Sequence, residues 1–352
     1  MKIFYDNVIF SLQKSGGVSV YWAELCKRIK NQEVTFFENK NHNDVRKTFQ
    51  IKTKKESIIP PAIRRALSFK KGSKEKHIFH SSYYRHSKKK NALNIVTVHD
   101  FTHEKFGSGF KNKMLIELKK KSLKRATGII CQSESTKRDL LQVFPELSSK
   151  PIKVIYPGVD AEYKKDTEPF SEIENYVIFI GSRAGYKNFK ESVRALQGLE
   201  KYQLIIIGGG ELNKNELTLL EENLPSRYRK LSYITNQQLN SLYRGAHALL
   251  YPSLYEGFGI PVAEAINAGC PVITTNSSSL PEASGGNGIL LDEPNSFNIR
   301  QSIIKLENDL LRDTMIHEGQ DYGARFSWDT CYQETFSFYQ KIYQLDQQNT
   351  NE

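Results

Sequence analysis

Two glutamates, Glu256 and Glu264, stand with seven residues between them in the run EGFGIPVAEAINAGCPVI. Gly257, Phe258, Gly259 and Ile260 occupy the first part of that gap, just ahead of Pro261. Proline is favoured at the first position of a helix, where its missing N–H would have gone unpaired anyway. The spacing therefore predicts a glycine-punctuated turn, a helix opening at Pro261 and stopping at Gly269, and a following strand of β-branched residues. At such a helix mouth, free N–H groups and the positive end of the dipole suit a phosphate or a sugar oxygen. Carboxylates repel phosphate, so glutamates framing the mouth are better suited to accept hydrogen bonds from ligand hydroxyls. A nucleotide-sugar, with a negative centre and hydroxyl-rich ends, matches that combination. The plain alternative is an ordinary β-α-β unit whose glutamates favour the helix N-terminus through its dipole.

Other chemistry-bearing residues fall at the ends of strand-like runs. Arg183 and Lys187 follow YVIFIGS (176–182) four residues apart, where two cations can neutralise a diphosphate and the charge growing on it as it leaves. Ordinary surface basics would look the same in isolation. Gly16 and Gly17 separate the strand at 2–5 from a helix with Val18, Tyr21, Trp22, Leu25 and Ile29 on one face, and a glycine pair there lets backbone approach a ligand closely. His99 and Asp100 end the short apolar run 96–98, at the strand exit where open α/β sheets bind ligands. His80, His86 and His103 lie nearby in sequence without zinc-ligand spacing, and are candidates for an acceptor cleft. GGGE at 208–211 has Asn213 where a dinucleotide fingerprint needs its third glycine, which argues against that cofactor. No D-x-D triplet that could anchor a divalent metal on a diphosphate occurs in the chain.

The elements that must position these residues alternate strand and helix twice over, predicting two parallel sheets wound by crossover helices. Strands are expected at 128–131, 153–155, 202–210 and 231–235, with Ser133 capping a helix. Pro157-Gly158 and the polar run KKDTEPFSEIEN mark the boundary between halves. A length of 352 residues accommodates two cores. The net charge of +11 conceals an asymmetry: residues 1–160 carry 33 Lys+Arg against 14 Asp+Glu, and the remainder 17 against 25. A basic first half points to an anionic surface or substrate, with a lysine-rich background as the alternative.

Within that half, SIIPPAIRRALSFKKGSKEK sets Ile59, Ile63, Ala66 and Leu67 at near-helical spacing among Arg64, Arg65, Lys70 and Lys71. This is either a membrane-surface helix or a helix packed on the domain. A second basic helix is expected at 111–128, with Met114, Leu115, Leu118 and Leu123 toward a core and its lysines outward. Cys26, Cys131, Cys270 and Cys331 lack C-x-x-C spacing and read as buried residues of a reducing compartment. MKIFYDNVIF, with Asp6 inside it, reads as a first strand and not a signal peptide. No apolar run approaches the roughly 18 residues of a membrane span.

Taken whole, EGFGIPVAEAINAGCPVI closely resembles the donor-site signature of the retaining glycosyltransferases of family 4. GSRAGYKNF resembles that family's phosphate clamp, with Arg183 and Lys187 in the matching places. VHD resembles the segment whose histidine, here His99, contacts the donor sugar. Gly16 and Gly17 match the glycine-rich loop facing the diphosphate, and Ile234 and Leu239 fall where backbone lines the nucleotide base.

The resemblance implies an α/β, GT-B architecture: two Rossmann-like doubly wound parallel-sheet domains facing a deep interdomain cleft. Residues 1–160 would bind acceptor and 161–327 donor, while 328–352 would form a helix crossing back to the first domain plus a disordered tail. It implies retaining transfer of a sugar from a GDP- or UDP-sugar to an acceptor hydroxyl, with no cofactor and no metal. Arg183, Lys187, His99 and Glu256 would be catalytic. Gly257, Phe258, Gly259 and Ile260 would add backbone contacts, Glu264 would bind the ribose, and Asp100 and His103 would face the acceptor. The partners implied are the nucleotide-sugar donor, a glycan or lipid-linked glycan acceptor and an anionic membrane surface, without nucleic acid, for a cytoplasmic or membrane-peripheral enzyme. Alternatives are an epimerase or sugar phosphorylase of the same fold, a glycosidase and, more distantly, a basic nucleic-acid-binding protein.

Overall fold

The computed structural model describes residues 1–29, 33–57, 59–164, 167–232 and 234–351. Lys165 and Asp166 of the expected boundary, Ile58 of the basic segment and Tyr233 of the strand expected at 231–235 lie outside the described residues. The chain divides into two compact units, Met1–Gly158 with Trp328–Glu352, and Val159–Ser327.

The first unit runs β1 (Lys2–Asp6), α1 (Gly17–Arg28), β2 (Val34–Phe37), β3 (Thr53–Lys54), α2 (Pro61–Arg64), β4 (His77–Ser81) and β5 (Ala92–Val98). It continues through α3 (Thr102–Phe106), α4 (Gly109–Lys124), β6 (Gly128–Cys131), α5 (Glu134–Val143) and β7 (Ile152–Val154). Its sheet is ordered β3-β2-β1-β4-β5-β6-β7, with every pairing parallel. Parallel strands covered on both faces are mostly apolar along their length, and all seven residues of β5 are buried, the polar Asn94 and Thr97 included.

The second unit contains β8 (Tyr176–Ile180), α6 (Phe189–Ala195), β9 (Gln203–Ile207), α7 (Lys214–Asn223), β10 (Tyr228–Leu231), α8 (Asn236–Gly245) and β11 (Ala248–Tyr251). Then come α9 (Ile260–Ala268), β12 (Val272–Thr275), α10 (Leu280–Ser284), β13 (Ile289–Leu291), α11 (Ser296–Lys305) and α12 (Asp309–Gly323). The order is β10-β9-β8-β11-β12-β13, again all parallel. Val177, Phe179, Leu204, Ile206, Leu250 and Ile273 from the strands meet Val193, Ile299 and Ile303 from the helices in one core. Each such fully buried side chain contributes about 1.5–3 kcal/mol.

In each sheet the chain winds outward and then returns to the far side of its starting strand. The order reverses between β1 and β4 in one unit and between β8 and β11 in the other. Such reversals open a crevice at the carboxyl ends of the strands, which is where α/β sheets place ligands.

Several local expectations are revised. The strand expected at 231–235 is instead Tyr228–Leu231, because Thr235 leaves the sheet to cap α8 in a reciprocal box with Gln238. Asn213 caps α7 in the same way, through Glu216, and so closes the GGGE loop as an ordinary helix start. The basic amphipathic segment forms only the single turn α2, and its polarity is inverted: Arg64 is buried near Glu56 while Ile63 is 58% exposed. Two buried carboxylates, Asp6 and Glu56, attract the arginine more strongly than the core attracts the isoleucine. Lys119 also turns inward, against the expectation that α4 keeps its lysines outside.

The tail expected to be disordered continues as helix α13 (Trp328–Asn351), with Asp346 paired to Lys76 at 2.5 Å. Phe338, Tyr339 and Ile342 of α13 are buried. His80, buried in the same region, donates or accepts at both ring nitrogens, to Tyr339 Oη at 2.5 Å and Thr97 Oγ1 at 2.9 Å. That engagement removes it as an acceptor-cleft residue. All four cysteines are free and buried.

Candidate functional site

At the reversal in the second unit, the loop leaving β8 meets the loop leaving β11. The first makes a single 3-10 turn, Gly185–Lys187, and passes through Asn188 in a left-handed conformation before α6. Leu254 N–H donates to Tyr186 O at 2.8 Å and so joins the two loops. Lys187 Nζ forms a short ion pair with Glu256 and lies 3.3 Å from Tyr251 Oη. Glu256 is fixed through its backbone: its N–H donates to Ser278 Oγ at 2.9 Å, and its carbonyl accepts from Ser279 Oγ at 3.0 Å. Ser278 adopts φ +52°, a conformation that costs about 1–3 kcal/mol in a non-glycine residue and concentrates at functional sites.

The turn that follows makes α9 possible. Gly259 has φ +101°, and a Cβ there would stand 2.9 Å from Leu280 Cδ2, so both the angle and the packing require glycine. Phe258 is buried edge-on against Phe326 at 5.1 Å, which leaves only its backbone for a ligand. Among the described residues no side chain caps α9 at Gly259, and Gly257, Phe258, Gly259 and Ile260 form the mouth of the helix.

Glu264, one turn into α9, is half-buried, and no hydrogen bond from the described residues reaches its carboxylate. Burial first, then the neighbouring Asp160 charge, raise its pKa to about 8. Its carboxyl is therefore largely protonated at neutral pH and able both to donate and to accept.

Arg183 is more firmly committed than its sequence position suggests. Nη1 donates to Gly208 O at 3.1 Å, while Nη2 reaches Gly209 O, Gly210 O and Glu211 O at 3.2, 3.3 and 2.8 Å. Nε lies 2.9 Å from Glu216 Oε1, close enough for an ion pair though not aligned as a hydrogen bond. The fork thus clasps the β9–α7 loop, whose three glycines all have positive φ. Ile234 directly precedes the Thr235 cap, and Leu239 is buried with its N–H already donated to Thr235 O at 2.9 Å.

In the first unit, Gly16 is the residue before α1 and Gly17 its first residue; Gly16 O accepts from Ser19 Oγ at 2.8 Å. His99 leaves β5 buried, hydrogen-bonded to Gln132 and edge-on to Tyr21 at 5.4 Å. Burial lowers its pKa to about 4, with Lys119 adding to the shift and Asp100 and Gln132 opposing it. Lys119 Nζ donates to Asp100 O at 2.6 Å and to Glu104 at 2.9 and 3.0 Å, and sits 3.9 Å from the Phe101 ring centroid. Asp100 Oδ1 accepts from Thr102 N–H at 3.0 Å and starts α3. His103 is tied to Asn112, 2.9 Å from Nδ1 to Oδ1. Among the described residues, no three His, Cys, Asp or Glu side chains are grouped to hold a metal ion.

Residues 160–322 match the model of glycosyl transferases group 1, and residues 15–163 that of glycosyltransferase family 4. The O-antigen chain mannosyltransferase RfbU of Salmonella typhimurium is 30% identical over 68% of this chain and 67% of its own length. The chain belongs to glycosyltransferase family 4. The O-antigen chain mannosyltransferase B of Escherichia coli is 32% identical over 48% of this chain, a stretch spanning only 46% of that relative. The structure of Anabaena HepE in complex with UDP-glucose superimposes with a TM-score of 0.74 at 16% identity, over 97% of this chain and all of the other. That likeness confirms the fold.

In this family 4 glycosyltransferase, the structure brings Lys187 and Glu256 together and sets the α9 mouth beside them, while Arg183 turns to the adjacent loop. Tyr251, Ser278, Asp160 and Lys119 complete the two clusters and were not singled out in the sequence. Ser278 lies in an uninformative serine run, Tyr251 reads as strand core, and Lys119 is one of many lysines in α4.

Proposed function

We propose that the chain transfers a sugar from a GDP- or UDP-sugar to a hydroxyl of a lipid-linked glycan, with retention at the anomeric carbon and without a metal. The O-antigen mannosyltransferases among its relatives support a polysaccharide acceptor. The observation that carries the reading is the Lys187–Glu256 pair at the β8/β11 reversal, beside the N-terminus of α9. Lys187 would exchange part of its pairing with Glu256 for the donor diphosphate and offset the charge on the leaving group. Glu256, held by Ser278 and Ser279, would accept from donor sugar hydroxyls. Gly257 to Ile260 would contribute backbone N–H groups, and Glu264 would take the ribose. Arg183 would add its charge by yielding some of the Gly208–Glu211 carbonyls.

In the first unit, His99, neutral at physiological pH, and the Gly16–Gly17 pair would be the groups that contact donor. The bond from the anomeric carbon to the leaving phosphate breaks as the acceptor oxygen bonds on the same face, and that oxygen's proton passes to the departing phosphate. Neither glutamate is assigned as a nucleophile.

The test is a thermal-shift panel of GDP, UDP and their sugars, followed by product analysis with and without acceptor. A donor at about 100 times its Kd stabilises the native state by about 2.7 kcal/mol. Failure of every nucleotide at millimolar concentration to move the melting temperature overturns the donor site. Release of free nucleoside diphosphate only when acceptor is present separates transfer from epimerisation, while a phosphorylase would instead need sugar phosphate.

A further inference from the structure

Tyr251, the last residue of β11, is buried with its hydroxyl at the Lys187–Glu256 pair. Lys187 Nζ donates to that hydroxyl at 3.3 Å and stands 5.2 Å from the centre of the same ring. The Tyr186 ring, 5.3 Å from Nζ, gives the ammonium a second aromatic face. Burial first, then the charge of Glu256 and a hydrogen bond to it, raise the Tyr251 pKa well above the ordinary 10. The hydroxyl therefore keeps its proton and donates it to the carboxylate. One oxygen accepts from the cation of a buried pair and donates to the anion.

The two donors to Glu256 differ in how far they can move. Tyr251 pairs in register with Thr274 of β12, whose Oγ1 donates to Tyr251 O at 2.8 Å. Thr275 Oγ1 donates to Ser253 O at 2.6 Å, so β12 pins the end of the strand on which the tyrosine stands. Lys187, by contrast, ends a single 3-10 turn and carries its charge on a flexible four-carbon stem. When a diphosphate competes for the ammonium, the lysine is the partner able to leave and the tyrosine the one that stays. Its departure has a cost, because a largely buried carboxylate is poorly hydrated and needs another donor.

We propose that Tyr251 is a positioning residue for the transfer: its hydroxyl holds the Glu256 carboxylate in place while Lys187 exchanges that carboxylate for the donor diphosphate, leaving Glu256 oriented toward the donor sugar. The ring assists, since an aromatic face attracts an ammonium that has given up its carboxylate. This role rests on the donor reading of the site, but its first test is made without donor.

That test is a set of thermal melts on the full chain. Lys187→Met imitates the departure of the ammonium, and Tyr251→Phe removes the hydroxyl while keeping the ring. In the Lys187→Met background the hydroxyl is, among the described residues, the side-chain donor left to Glu256. Tyr251→Phe should therefore lower the melting temperature at least about twice as far in that background as in the wild type, because it strands a buried carboxylate. Adding Glu256→Gln should abolish the excess, since a neutral amide does not carry the charge that needs the donor. A tyrosine that only fills space would lose the same amount in every background.

Binding supplies the second readout, with GDP, UDP, GDP-mannose and UDP-glucose as probes. Tyr251→Phe should hold the affinity for the preferred diphosphate within about twofold and weaken the matching nucleotide-sugar about tenfold, the scale of one misplaced hydrogen-bonding group. Equal losses of melting temperature in the two backgrounds overturn the proposal, and so does parallel weakening of diphosphate and nucleotide-sugar. Absence of any nucleotide binding by the wild type overturns the donor reading together with the exchange. Additive melts beside normal nucleotide binding overturn the role of Tyr251 and leave the donor reading standing.

Discussion

Lys187 and Glu256 form an ion pair with side chains only 11% and 14% exposed, and they reach it from two different crossovers, one after β8 and one after β11. Pairing across the point where strand order reverses ties the charge balance of the site to the topology of the sheet. Removing one partner from such a pair leaves the other charge poorly solvated, whereas removing both relieves that penalty. Lys187→Met and Glu256→Gln should therefore each lower the melting temperature, and the double variant should lose less than the sum. Turnover should respond differently: Lys187→Met is expected to reduce kcat by about 100-fold, the scale of one preorganised charge stabiliser. A strictly additive double-mutant cycle would show that the pair is not energetically coupled.

Arg183 offers a contrasting case, because its fork is already occupied by the Gly208–Glu211 carbonyls and Glu216. A Cβ at Gly209 would collide with Gly181 O and the Arg183 guanidinium, so loop and arginine pack as one piece. Lysine keeps the charge but cannot span that set of carbonyls. Arg183→Lys should lose about 1–3 kcal/mol of stability from the acceptors it abandons, and faster hydrogen exchange should appear in the β9–α7 loop. If the melting temperature is unchanged while turnover falls, the arginine acts on the diphosphate alone and the clasp is incidental.

The two sheets and the α9 mouth were legible in the sequence because apolar runs, the Gly259-Ile260-Pro261 start and the Gly269 stop are local signals. The observed α9, Ile260–Ala268, differs from the expected start by one residue. What the sequence could not display were preferences set by distant partners. Arg64 turns inward because Asp6 and Glu56 are brought beneath it by β1 and the 55–57 segment, whereas helical periodicity alone placed Ile63 there. Lys119 is buried for a similar reason, since Asp100 O and Glu104 meet it across 15 to 19 residues. The tail was read from composition, yet the Lys76–Asp346 pair holds part of it as helix. Arg183 and Lys187 look equivalent in the string GSRAGYKNF, and only the geometry assigns one to a neighbouring loop and the other to Glu256.

Lys119 links the core of the first unit to His99. It anchors the Asp100 carbonyl and contributes to the lowering of the His99 pKa. Lys119→Met should let that pKa rise from about 4 toward, though not to, the ordinary 6.5, since burial is the larger cause and remains. Imidazole proton NMR gives the direct reading. For a histidine with a depressed folded pKa, stability is fully present above the unfolded pKa and is lost as pH falls toward the folded value. The wild type should therefore lose stability between about pH 6.5 and 4 through His99, and a His99→Gln variant should show a shallower acid limb. An unshifted His99 resonance in Lys119→Met would rule out the electrostatic link.

Glu264 carries the opposite sign. Its folded pKa, about 8, stands above the ordinary 4.5 of a glutamate, so its contribution to stability is fully present below the unfolded pKa and declines as pH rises toward 8. Partial exposure of the side chain reduces what the shift costs, leaving an upper range of about 2–4 kcal/mol by pH 8. Glutamine keeps the shape and cannot ionise. Glu264→Gln should match the wild type near pH 5 and be the more stable protein near pH 8, a crossover that paired thermal melts across pH would reveal. The same substitution bears on function. A protonated carboxyl and an amide both donate and accept, so Glu264→Gln should retain donor affinity far better at pH 6 than Glu264→Ala. If instead the glutamine variant binds donor as poorly as the alanine variant at every pH, the ribose contact requires the charged carboxylate, and the neutral carboxyl inferred from its burial is not the form that binds.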